Sequence, residues 1–187
     1  LEQRMYATKR MYEEMSLRIA RKQSLTFETV ALPTYVCYAR ECRGSAAKDK
    51  YSVMYALYHE VIEKGLRPLA SEPLFTINKN TDLFGKKEET FVCCIPLEPD
   101  DAPEDALILK GCRAFSCLCY GSYDSLTQAR ILFRQKIKEL GIKPIGYPRV
   151  LGIVAPYTAR EFKPENYVSR IAIPIASDDE DTESSFD

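Results

Sequence analysis

Tryptophan is absent from the 187 residues, and histidine occurs once, at His59. A catalytic or metal-binding histidine needs partners that the pattern does not show, so His59, near Glu60 and Glu63 in an amphipathic segment, reads as structural or surface-exposed. No Gly-x-Ser-x-Gly and no Gly-x-x-x-x-Gly-Lys-Ser/Thr occurs, so neither a serine-hydrolase elbow nor a phosphate loop is present. Cys-x-x-Cys pairs are missing too, and the seven cysteines are an odd number. That usage points to a reducing cytoplasm, with the thiols filling a core rather than holding a metal. Neither a metal nor a cofactor is expected. A run of about 18 apolar residues, as a transmembrane helix requires, does not exist. The start, Leu1-Glu-Gln-Arg, lacks the apolar core of an export signal. Because it opens on Leu rather than Met, the chain reads as a fragment of something longer or a processed product.

What is present is globular in composition. Hydrophobic residues make up 45% and charged residues 28%, which places the chain away from disordered sequences and allows a sizeable core. Net charge is −1, but unevenly spread. Residues 1–24 carry six Lys/Arg and three Glu, and residues 177–187 carry six acids and no base. The stretch between is nearly neutral, so no nucleic-acid footprint and no membrane patch is visible in it. The acidic end, residues 177–187, reads as a solvated tail.

An internal repeat organises the rest. Glu139-Leu-Gly-Ile-Lys-Pro-Ile copies Glu63-Lys-Gly-Leu-Arg-Pro-Leu at an offset of 76 residues. About 20 residues further on, each copy reaches an Ile-Pro, at Ile95-Pro96 and Ile173-Pro174. In the first copy, strand-favouring residues fill Phe27 to Arg40 around Pro33, which belongs at a strand start, edge or bulge. Asp49 to Lys64 has helical apolar spacing and ends at Gly65, with Pro68 beyond. Strands follow over Leu74–Asn78 and Thr90–Leu97, around a polar hairpin at Asp82–Glu89. Glu98 to Pro103 is a linker by composition. The second copy runs Leu107–Tyr120 (interrupted at Gly111), a helix from Tyr123 to Leu140, then strands over Val150–Ala155 and Tyr167–Ala176. Residues 1–23 read as one helix, since they hold no Gly or Pro, with a narrow seam at Leu1, Met5, Thr8, Tyr12, Met15 and Ile19. Such a seam suits pairing with a second copy of the helix; docking on its own domain is the alternative.

The predicted fold is α+β. Two strand-helix-strand-strand units (about 27–97 and 105–176) form one antiparallel sheet with both helices on one face, after a long N-terminal helix. The predicted domains are a dimerisation helix (1–24), a binding domain (25–176) and the tail (177–187). The face opposite the helices would be concave and free, lined by some of the twelve tyrosines.

Tyr120-Gly-Ser-Tyr123-x-x-Leu126, Gly141-x-x-x-x-Gly146-Tyr147-Pro148, Glu165-x-Tyr167 and Ile171-Ala-Ile-Pro-Ile175 stand in fixed order. With the repeat, they resemble the GyrI-like effector-binding fold of MerR- and AraC-type multidrug-responsive regulators, over about 150 residues. The resemblance implies a non-enzymatic domain that binds small hydrophobic or amphipathic molecules between its halves and dimerises through residues 1–23. DNA would be contacted only through a winged helix preceding Leu1. It places Tyr120, Tyr123 and Tyr167 near the ligand, with Pro33, Val36 and Tyr38 from the first strand and Tyr147 and Leu151 around the turn into the later strand. Relatives that bind cations carry a Glu in that strand; here it reads Arg149-Val-Leu-Gly-Ile. Glu72 is a possible substitute acid, and an inward Arg170 would favour an anion instead. Two alternatives stay open: a stand-alone module that sequesters a ligand or a protein, and a Glu/Tyr hydrolase, known on the same fold.

Overall fold

Glycine closes both helices in the same way. In a computed structural model of the protein, which describes residues 25–44, 47–79, 89–121, 123–154 and 167–176, helix α1 spans Ala47–Glu63 and helix α2 spans Tyr123–Glu139. Gly65 and Gly141 adopt φ of 71° and 64°, a left-handed turn that side chains resist. Leu66 N then bonds Val61 O and Ile142 N bonds Ile137 O, so orphan carbonyls at each helix end are satisfied by the same reversal. Pro68 and Pro144 follow, each bridged to the far end of its own unit, at Leu97 and Ile175. The repeat seen in sequence is therefore a repeat of structure.

Around these helices run β1 (Leu25–Leu32), β2 (Tyr35–Gly44), β3 (Phe75–Asn78) and β4 (Glu89–Pro96) in the first unit. The second unit holds β5 (Leu107–Leu109), β6 (Cys112–Tyr120), β7 (Arg149–Val154) and β8 (Val168–Pro174). All eight make one antiparallel sheet in the order β1-β6-β8-β7-β3-β4-β2-β5. Pro33 falls between β1 and β2, as a residue without a donor should. Across that break the pairing with the second unit keeps its register: Leu32 faces Cys112 and Tyr35 faces Leu109. Thr34 Oγ1 accepts a bond from Gly111 N at 3.0 Å and stitches the two interruptions together. The two ends of the strand order are thus tied back to its opposite ends through the continuity of β1 with β2 and of β5 with β6. The sheet curls towards a ring.

Both helices pack on its outer face. Met54, Leu57 and Val61 of α1 meet Phe91, Cys93 and Ile95. Leu126, Ala129, Phe133 and Ile137 of α2 meet Phe115, Cys117, Cys119 and Ile171. Cys93 and Cys94 point to opposite faces and Cys117 and Cys119 share one, as strand alternation requires. Burial pushes the Cys93 thiol up to about 12 and Cys117 to about 11, so both sit in the core as neutral thiols.

One expectation needs correction. The face opposite the helices is not free at its centre: Tyr35, Cys37, Phe75, Cys94, Leu151 and Ala172 are buried there as a core of their own. Curling of the sheet, which a flat two-layer picture omits, turns that face inward. Among the described residues no helix is long and apolar enough to cross a membrane. The expected N-terminal helix, residues 82–88 of the expected hairpin, the 156–165 loop and the acidic tail lie outside the described residues, and Glu89 already belongs to β4.

Candidate ligand-binding face

Directly opposed residues of antiparallel strands share a face, so the ladders define what lines the inside of the curl. Phe75 opposes Cys94 and Leu151, and Leu151 in turn opposes Arg170, which opposes Leu118. One layer along, Ile77 opposes Val92 and Arg149, Arg149 opposes Ala172, and Ala172 opposes Ser116. Ser116 completes this layer against Glu28. The inner face is apolar with a few polar groups set into it, the usual make-up of a small-molecule site.

Three of these polar groups are linked. Arg170 Nη1 donates to Ser116 Oγ at 3.2 Å and pairs with Glu28 Oε1 at 3.2 Å. Arg170 is thus inward, as the anion reading required. Arg149 is only 7% exposed, and its Nη1 finds no hydrogen-bond acceptor among the described residues. Tyr35, whose ring tilts against Phe75 at 5.1 Å, donates its hydroxyl to Glu72 Oε2 at 2.9 Å. Burial holds the Tyr35 phenol well above its ordinary value, and the Glu72 charge beside it acts in the same direction. Glu72 is itself raised by burial, partly offset by the bond from Tyr35.

The ten residues singled out from sequence do not all gather here. Leu151 and Arg170 oppose each other on the inner face, and Tyr120 packs beside them with Leu118 and Val168. Glu72 joins through Tyr35. Tyr167 stands just before β8, its carbonyl accepting from Gly121 N at 2.9 Å, which brings it next to the start of α2. Tyr123 is the first residue of that helix; its side chain lies outside what the structure describes. Tyr147 is 45% exposed before β7. Pro33 sits exposed at the break between β1 and β2. Val36 opposes the exposed Ile108, and Tyr38 opposes Ile95. Both therefore alternate away from the inner face. Tyr38 instead faces α1: its hydroxyl donates to Glu60 Oε1 at 2.6 Å and accepts from Lys64 Nζ at 2.6 Å.

Tyr35, Arg149, Ser116 and Glu28 are polar inner-face groups that the sequence reading missed. Strand alternation carried through Pro33 without a break puts Tyr38 inside and Tyr35 outside. The interruption at Pro33-Thr34 shifts the phase by one residue, and a shift of one exchanges the faces. For Arg149 the available signal was its place in a strand whose neighbours are all apolar.

The raised Glu72 gives a pH test. A carboxyl harder to ionise folded than unfolded stabilises the fold while protonated, and that contribution is lost as pH rises through the folded value. Glu72→Gln keeps an acceptor for Tyr35 and has no charge to bury. Its melting temperature should therefore gain on the wild type as pH rises above about 4.3. A difference that stays flat from about pH 4 to pH 7 would show that ionised Glu72 is not penalised in this site.

No protein-family model and no curated protein matches the sequence. Solved structures do match. EcmrR in complex with DNA aligns at a TM-score of 0.72 and 16% identity, over 94% of this chain and 68% of that one. The EcmrR C-terminal domain aligns at 0.70 and 16%, over 82% of this chain and 98% of the domain. SAV2435 bound to tetraphenylphosphonium aligns at 0.56 and 11%, over 86% and 99%. A hydrolase from Listeria innocua aligns at 0.53 and 13%, over 81% and 92%. At these identities the likeness is one of fold, the fold shared with the EcmrR C-terminal domain and SAV2435.

Proposed function

We propose that the chain is the small-molecule-sensing and dimerising part of a MerR-type transcription regulator. The observation that carries this reading is the alignment with EcmrR, a protein solved on DNA, over 94% of this chain. The ligand would lie against the inner face, where Tyr120 and Tyr167 flank the start of α2 and Leu151 and Arg170 form the floor. SAV2435, solved with tetraphenylphosphonium, supports small-molecule binding on this fold. Dimerisation through residues 1–23 and DNA contact through a further domain complete the proposal. Tyr123 and Tyr147 belong to the same ligand set; Pro33, Val36 and Tyr38 drop out of it.

A ligand that binds only the folded chain raises its melting temperature by mass action. At a hundredfold excess over Kd the gain is about 2.7 kcal/mol, or roughly 5–10 °C for a chain of this size. Screening hydrophobic cations, anions and neutral dyes by thermal shift should find such compounds. Tyr167→Ala should reduce the shift of each. No shift from any compound of either charge would sink the sensing reading.

One observation favours a second reading, hydrolysis. Glu72 and Tyr35 form a bonded, part-buried acid–phenol pair at the inner face, and a protein solved as a hydrolase shares the fold. Ester turnover that disappears in Glu72→Gln would replace the sensing reading with this one.

A further inference from the structure

Arg149 is a charged side chain in the wrong place for a charge. It is 7% exposed, flanked across the ladder by Ile77 and Ala172, and its Nη1 has no acceptor among the described residues. A guanidinium cannot shed its proton at any ordinary pH, so it has no neutral form to retreat to. Leaving such a group buried and unmatched is costly, and proteins normally answer it with a carboxylate. Among the described residues, the acids that the inner face offers are engaged elsewhere. Glu28 is taken by Arg170 at 3.2 Å, Glu72 by the Tyr35 hydroxyl at 2.9 Å, and Glu41 by Lys79. Arg170 lies on the same face one layer along, so two guanidinium groups face inward, of which Arg170 has a carboxylate partner and Arg149 has none among the described residues.

From this arrangement we infer that the inner face recognises an amphipathic oxyanion, a carboxylate or a phosphate carried on an apolar body, with Arg149 as its primary anchor and Arg170 as a second donor. A planar fork of N–H donors matches an oxyanion in two-point geometry, which a cation cannot exploit. Val30 and Ile153, half-buried at the edge of the inner core, supply apolar surface for the ligand body. The inference rests on the sensing reading only in taking the inner face as the ligand face, and it fixes the sign of the ligand's charge.

Dodecanoate, dodecyl phosphate and dodecyltrimethylammonium share one apolar chain and differ in the head group. Titrated calorimetrically into the full chain below their micelle-forming concentrations, at least one of the two anions should bind, and the ammonium compound should bind roughly tenfold or more weakly. Comparing the two anions separates a carboxylate from a phosphate ligand. Arg149→Met, similar in reach but uncharged, should lose the preference for anions, while Arg149→Lys should retain part of it. Equal or tighter binding of the ammonium compound would overturn the inference and leave the sensing reading standing. Unchanged anion affinity in Arg149→Met would overturn the assignment to Arg149. If neither charge type binds, both readings fall. Should Arg149→Met not fold, the comparison of head groups on the unaltered protein still decides.

Discussion

Phe133→Ala is expected to destabilise the protein by about 3–5 kcal/mol, the cost of emptying a fully buried aromatic site. For a chain of this size that lowers the melting temperature by roughly 10 °C. Phe133 is 0% exposed and stacks on Phe115 at 5.5 Å, and Phe115 stacks in turn on Phe27 at 6.2 Å. One ring from α2 thus closes a column that runs through β6 to β1. Leu126, Ala129, Phe133 and Ile137 recur at helical spacing, so this stripe is how α2 meets the sheet. Removing its central member leaves a gap that backbone on both sides is too tightly paired to fill. Urea unfolding with an unchanged m-value would measure the loss directly. A loss under about 1 kcal/mol would mean that the site collapses around the smaller side chain.

Local chemistry made much of this fold legible. Gly65 and Gly141 announced both helix ends, because only glycine accepts the left-handed turn cheaply. Pro33 announced a break, and the copies of Glu-x-Gly-x-Lys/Arg-Pro announced the duplication. What the break does was not legible. Leu32 and Tyr35 both face the inner core, so the two intervening residues shift the alternation and send Val36 and Tyr38 to the other side. Nor does any short motif record that β1 with β2 pairs along β5 with β6, which is a contact between residues far apart in sequence. That pairing curls the sheet and buries Arg149. The position of Arg170 was open in the sequence for the same reason: its neighbours Glu28 and Ser116 are more than 50 residues away.

The repeat makes Leu57 the counterpart of Phe133, 76 residues apart at matching places in α1 and α2, and both are 0% exposed. Leu57→Ala is expected to cost about 2–5 kcal/mol, since it opens a cavity between α1 and the β4 side chains Phe91, Cys93 and Ile95. Its second consequence is more telling than its size. The first unit touches the second along the ladder from β1 and β2 to β6 and β5, and again where Phe75 of β3 opposes Leu151 of β7. Neither unit can open without exposing the inner core that both of them line, with Phe75, Cys94 and Tyr35 from one and Leu151, Ala114 and Ala172 from the other. Damage in the first helix should therefore lower the melting temperature of the whole chain, with helix loss by circular dichroism coinciding with loss of amide protection in β6 and β8. Separate melting of the two units in Leu57→Ala would show instead that duplication left two domains side by side. The binding face proposed above, shared by β7 and β8 with residues from β1 and β3, would need the single transition, because the strands that line it pair only while both units are folded.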